Sequence, residues 1–327
     1  MNQNFLDFMR KYSGMRMAVA VSGGVDSVCL LCWLAQIGAD IVCLHVNHGL
    51  RPNAEIETDY VRNLCERLGV ACKIFYWTGD KPTSGLESAA RNARYKFMTD
   101  YCHENNISFL LTAHQSDDQI ETFLMNLARG SGLYGLSAMR PETVRDGIKI
   151  VRPLLSVSRS EIQKYCDDNK IKYFMDEMNS DEHYTRVRIR KNRHLLSERL
   201  GISDARILLA IQNLGRVRDS FDEYIARIVP TVLKNGRAMF FDSFLFDQTP
   251  DIRLKLLGTL IQKIGGDEYQ PRLNSLSNAL SNLQHDCKFT LGHCTLRRLG
   301  TRILIVPEGS KTSFRTRYGK QKSKKHE

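Results

Sequence analysis

Through the first half of the chain, short apolar runs alternate with stretches in which apolar residues return every three or four positions. Residues 17–21 predict a buried strand and about 26–37 a helix. Residues 41–46 follow as a second strand, and 55–68 place Ile56, Tyr60, Leu64 and Leu68 at helical spacing. A third strand is expected over 72–76, a helix over 86–104, a fourth strand over 109–112 and a helix over 116–128. Residues 148–151 can supply a fifth strand, after which Ser158 caps a helix reaching Asp168. Strand and helix in strict alternation predict the α/β class, with a doubly wound parallel sheet.

The rhythm ends after about residue 213. One long helix is expected over 206–232, then a strand-like 238–245, helices over 252–264 and 273–283, and paired strands over 289–297 and 302–306. Gly300 lies between the last two, where a hairpin turn is needed. This is a second, smaller α+β domain. A chain of 327 residues suits two domains, expected here at 1–213 and 214–310 with a basic tail at 311–327.

Composition narrows the class. No apolar run approaches the roughly 18–20 residues that cross a bilayer, and Asp7 and Arg10 interrupt the first apolar stretch. No membrane association and a cytoplasmic location are therefore expected. Nine cysteines without a regular interval read as reduced thiols. Cys29 and Cys32 have C-x-x-C spacing but lie in an apolar helical segment, which favours core packing over redox chemistry. The net charge of +11 points to a polyanionic partner. It concentrates in Arg186, Arg188, Arg190, Lys191 and Arg193, and again in the tail.

The turn between the first strand and helix reads Val21-Ser22-Gly23-Gly24-Val25-Asp26-Ser27. A helix N-terminus offers unpaired N–H groups and partial positive charge to an anion. Two glycines let the backbone approach a phosphate closely and can take positive φ. Ser22 and Ser27 add hydroxyls. Asp26 is out of place beside an anion unless it caps the helix or holds a Mg²⁺ that bridges phosphates. Two familiar phosphate loops are ruled out, because no lysine follows and the glycines are adjacent.

The segment resembles the S-G-G-x-D-S loop of the N-type ATP pyrophosphatases, which cleave ATP between the α and β phosphates. Further stretches are similar to one branch of that superfamily, the tRNA(Ile)-lysidine synthases. They are His45-Val46-Asn47-His48-Gly49-Leu50-Arg51, Glu87 to Tyr95, Ala113 to Thr122, Arg129-Gly130-Ser131-Gly132, Arg152-Pro153-Leu154-Leu155 with Arg159, Asp176-Glu177-Met178-Asn179, and the basic segment from Arg186 to Arg190. They run in the family's order to about residue 200. Two positions depart from its pattern, with Val187 in place of the usual Asn and Met178 in place of Ser.

The resemblance implies ATP as co-substrate, gripped by Ser22, Gly23, Gly24, Val25, Asp26 and Ser27. It implies Mg²⁺ on Asp26 and Glu121, with Arg94 and His114 assisting adenylation. Gly130, Ser131 and Gly132 would form a flexible substrate loop, and Arg186, Arg188, Arg190, Lys191 and Arg193 would bind tRNA. The partners would be tRNA(Ile) with a CAU anticodon and free L-lysine; a homodimer is left open. Lysine would be ligated to C2 of the wobble cytidine through an adenylated base, changing codon reading from AUG to AUA. Solvated arginines, an Asp118 helix cap, and a structural or nucleotide-edge role for His45 and His48 remain as alternatives. A tRNA thiolase or a non-catalytic adenine-nucleotide module remain as alternative functions.

Overall fold

A computed structural model describes the chain except residues 51, 80, 83, 175–184, 268, 286, 311–327 and the side chain of residue 87. The stretch 176–179 and the basic tail therefore lie outside the described residues. The chain divides into two units, Met1–Arg218 and Asp219–Glu327.

The first unit opens with α1 (Gln3–Met9), then alternates β1 (Met17–Ala20), α2 (Val25–Gln36), β2 (Ile41–Asn47), α3 (Ala54–Leu68), β3 (Ala71–Tyr76), α4 (Leu86–Glu104), β4 (Phe109–Leu111) and α5 (Ser116–Ala128). There follow α6 (Leu133–Leu136), β5 (Glu142–Arg145), β6 (Ile148–Val151), α7 (Arg159–Asp168), α8 (Thr185–Asn192), α9 (His194–Leu200) and α10 (Asp204–Val232). The sheet order is β3-β2-β1-β4-β6-β5. All pairings are parallel except β5 with β6. That antiparallel edge is missing from the sequence reading, yet Asp146-Gly147 between the two strands is a strong hairpin signal. Both residues take positive φ, +47° and +76°, as a type I′ turn demands.

Helix α2 is apolar all round because it is covered on all sides: Val28, Leu30, Leu31 and Leu34 are fully buried. Trp33 meets Phe5 at 5.0 Å and Tyr165 of α7 edge-on at 5.5 Å. The face of α3 differs from expectation. Thr58, Val61, Leu64 and Cys65 are buried, whereas Ile56 is exposed. Helix α7 starts at a capping box in which Ser158 and Glu161 exchange hydrogen bonds.

The second unit contains the rest of α10, β7 (Leu233–Lys234), β8 (Arg237–Phe241), α11 (Asp242–Phe246), α12 (Pro250–Gly265), α13 (Leu273–Gln284), β9 (Lys288–Leu291), β10 (Cys294–Leu299) and β11 (Arg302–Pro307). Its antiparallel sheet runs β7-β8-β11-β10-β9. Two expectations are corrected. The strand over 289–297 is two strands, broken where Gly292 and His293 both take φ of +55°. The strand over 238–245 stops at Phe241, after which α11 begins.

Candidate active site

The turn from β1 into α2 is built largely by its own side chains. The Ser22 N–H donates to Ser27 Oγ at 3.1 Å, and Ser27 Oγ donates to the Gly24 carbonyl at 3.0 Å. The Ser27 hydroxyl, read from the sequence as a phosphate donor, thus shapes the loop. Of the two glycines only Gly23 needs the left-handed region, with φ of +90°; Gly24 is the N-cap, with φ of −75°. The Phe174 N–H donates to the Gly23 carbonyl at 3.0 Å, and a parallel bridge joins Gly24 to Phe174. The loop is therefore braced from outside as well.

His45 is buried inside β2, not at its end. Its Nδ1 lies 2.8 Å from the Val21 carbonyl and its Nε2 lies 3.1 Å from Thr58 Oγ1 of α3. Both ring nitrogens are engaged, so the ring ties α3 to the mouth of the loop. Burial lowers its pKa and keeps it neutral. Of the two roles open to it from the sequence, this is the structural one.

Asp26 sits in the first turn of α2 without capping it. Its Oδ1 is buried and has no hydrogen-bond partner among the described residues. Burial pushes its pKa up to about 6, opposed by the charges of Arg159 and Arg190 and reinforced by Asp118 and Asp117. The loop thus meets the first turn of α5, as expected at the carboxyl end of parallel strands. There Asp118 is a helix cap, its carboxylate accepting the Gln115 N–H at 3.0 Å in a capping box. Glu121 lies one turn further on and is wholly buried. Its Oε1 accepts Arg190 Nε at 2.7 Å, while Oε2 has no partner among the described residues.

His114 follows β4 and shares a 3.0 Å hydrogen bond with Thr112 through Nδ1. Burial, and then the charges of Arg152, Arg91, Arg94 and Arg186, drive its pKa down to about 3. Those arginines form a cluster that the sequence showed only in part. The guanidinium carbons of Arg145, Arg91 and Arg94 lie 4.4, 5.1 and 5.9 Å from the Tyr95 ring centroid. Arg152 donates to the Arg140 carbonyl at 2.9 Å and Thr143 Oγ1 at 3.1 Å. Burial lowers the pKa of both Arg94 and Arg152, as does the charge of Arg91. Arg145 and Arg152 went unassigned because β5 and β6 bring them to α4 only in the folded state.

The basic segment divides in two. Arg190 pairs with Glu121, and Arg193 with Asp117 at 3.0 Å and Asp204 at 3.2 Å. Arg186 and Arg188 are exposed, as is Lys191. Val187, where relatives by resemblance carry Asn, is buried. Gly130, Ser131 and Gly132 join α5 to α6, with the Ser131 N–H donating to the Asn126 carbonyl at 3.0 Å. Cys29 and Cys32 are buried.

A parallel sheet whose first strand feeds a glycine turn and a helix N-terminus, facing a carboxylate-bearing second helix, defines a PP-loop nucleotide-binding domain. The family described as the PP-loop domain matches residues 1–196. The tRNA(Ile)-lysidine synthase of Wolbachia sp. subsp. Brugia malayi is 35% identical over 325 residues, covering 94% of this chain and 74% of that protein. The enzyme of the same name from Ruegeria pomeroyi is 34% identical over 312 residues, covering 90% and 74%. The chain belongs to the PP-loop family and, within it, to the tRNA(Ile)-lysidine synthases. Among solved structures, the U34-tRNA thiolase NcsA from Methanococcus maripaludis shares the fold, with a TM-score of 0.53 at 17% identity over 66% of this chain and 77% of that one.

Proposed function

We infer that the protein is a tRNA(Ile)-lysidine synthase, an ATP-dependent ligase that acts on tRNA. The observation that carries this is the braced loop at the head of α2 in a chain 35% identical to a lysidine synthase over 94% of its length. The finer reading takes free L-lysine as co-substrate and the wobble cytidine of a CAU anticodon as acceptor.

The N–H groups at the start of α2 receive the pyrophosphate end of ATP, with no Cβ in the way at Gly23 and Gly24. The cytidine O2 attacks the α-phosphorus and pyrophosphate leaves. The lysine ε-amine then adds at C2, loses a proton, and AMP departs carrying that oxygen. The arginines around Tyr95, Arg94 foremost, offset the charge of the reacting phosphates. A Mg²⁺ fits the donor set, since Asp26 Oδ1 and Glu121 Oε2 are hard, buried oxygens without partners among the described residues. Bound there, it would supply Lewis-acid stabilisation to phosphate oxygens. His114 is held neutral by burial and by the charges of the surrounding arginines. In the tautomer whose Nδ1 accepts from Thr112, the neutral ring presents its Nε2–H as a hydrogen-bond donor to developing negative charge.

Sulfur transfer is disfavoured because Cys29 and Cys32 are buried in α2 and offer no thiol to the loop. The test is nucleoside analysis of a tRNA(Ile) transcript incubated with protein, ATP and lysine. Lysidine is the expected product, with release of pyrophosphate that depends on tRNA. Asp26→Asn should abolish both without lowering the melting temperature, because it removes a buried charge whose Oδ1 has no hydrogen-bond partner among the described residues. A sulfur-bearing base, or ATP binding without turnover, would overturn the reading.

A further inference from the structure

A thiol cluster in the first unit takes no part in this chemistry. Cys43 of β2 and Cys72 of β3 are direct partners in the parallel pairing, so their side chains leave the sheet on the same face. Helix α3 connects the two strands and covers that face, burying Cys65 toward it. Their sulfurs all lie within 4.8 Å of one another. Cys43 and Cys65 are buried and Cys72 is partly open to solvent, which gives an ion a way in.

We propose that Cys43, Cys65 and Cys72 form a three-thiolate site for a soft, thiophilic metal ion, which clips α3 onto β2 and β3. Three sulfurs about 2.3 Å from a central ion stand roughly 4 Å apart, so the observed cluster needs only a small contraction. Thiolate donors select soft and borderline ions over Mg²⁺ or Ca²⁺, so the site does not compete for the ion at Asp26. The position gives the clip a consequence for the nucleotide loop. Cys43 is two residues before His45 on the same face of β2, and Cys65 is two helical turns beyond Thr58 on α3. Thr58, His45 and the Val21 carbonyl form the hydrogen-bond chain that holds the loop. Metal binding would therefore tighten α3 against the strand that anchors it.

Titration of the reduced full-length protein with Cd²⁺ under anaerobic conditions tests this, followed by sulfur-to-metal charge-transfer absorption and by thermal unfolding. The absorption should saturate at one equivalent, with a rise in melting temperature on saturation. Cys72→Ser, at a partly exposed position, and Cys65→Ser should each lose the absorption. Cys29→Ala, at a thiol outside the cluster, should keep it. Absorption that is absent from the wild type, that climbs over several equivalents, or that persists in both serine variants would overturn the proposal.

Discussion

His114 and Asp26 are both governed by burial, in opposite directions. Asp26 has its pKa raised to about 6 and His114 has its pKa lowered to about 3. An unfolded histidine titrates near 6.5. Between about 6.5 and 3 the unfolded chain binds the proton at position 114 and the folded chain does not. The stability tied to a neutral His114 is thus fully present above pH 6.5 and is lost as pH falls toward 3, by on the order of a few kcal/mol. Asp26 acts with the opposite sign, since its raised pKa lets the folded state hold a proton that the unfolded state has released. Comparing wild type with His114→Gln cancels the Asp26 contribution. The variant should lose stability less steeply on acidification across this window in denaturant titrations at several pH values; parallel curves would refute the assignment. Residue identity alone could not give these shifts. A histidine or aspartate at a strand-to-helix junction is legible in the sequence, but its environment is assembled from α4, α5, α7, α8 and the residue that follows β6.

At the scale of elements, the strand-turn-helix unit was legible because its signal is local. The apolar strand, adjacent glycines and apolar helix are contiguous, and so are the capping boxes of α5 and α7. What the sequence blurred was the division of labour within the loop. Gly23 carries the positive φ, and a Cβ there would stand 3.7 Å from its nearest neighbour. The cost of Gly23→Ala is therefore conformational, about 1–3 kcal/mol, and should appear as a lower melting temperature together with weaker ATP binding. Gly24 has an ordinary φ, and its Cβ would meet Ser22 Oγ at 3.5 Å, an ordinary contact. Gly24→Ala should leave the melting temperature nearly unchanged and still impair ATP turnover, by placing a methyl group in the phosphate path. Equal destabilisation by the two would show that the glycines are not distinguished in this way. The hairpins at Asp146-Gly147 and Gly292-His293 were missed for a different reason. Each sits inside a run whose apolar content alone reads as a loop or as one longer strand.

For the whole molecule, the basic segment 186–193 offers a polyanion fewer free cations than its sequence suggests. Arg190 and Arg193 are committed to Glu121, Asp117 and Asp204, and Arg91, Arg94, Arg145 and Arg152 gather around Tyr95 and His114. Arg186 and Arg188 are the exposed arginines of α8. Replacing both with Ala should reduce the slope of log affinity for tRNA against log salt by about 1.5, since each phosphate neutralised by a side chain adds roughly 0.7–0.9 to that slope. An unchanged slope would remove α8 from the tRNA interface. Arg190→Ala is a poor probe, because it strands the buried Glu121 carboxylate and destabilises the fold. By itself the sequence determined the alternation of elements, the phosphate-binding turn and the family resemblance, since each is written in contiguous residues whose spacing matches a helix, a strand or a motif. Only the tertiary structure decided which charges cancel, which carboxylate oxygens stay unpaired, and which cysteines meet. Those outcomes depend on side chains tens of residues apart in sequence, brought together by parallel crossovers that no local pattern records.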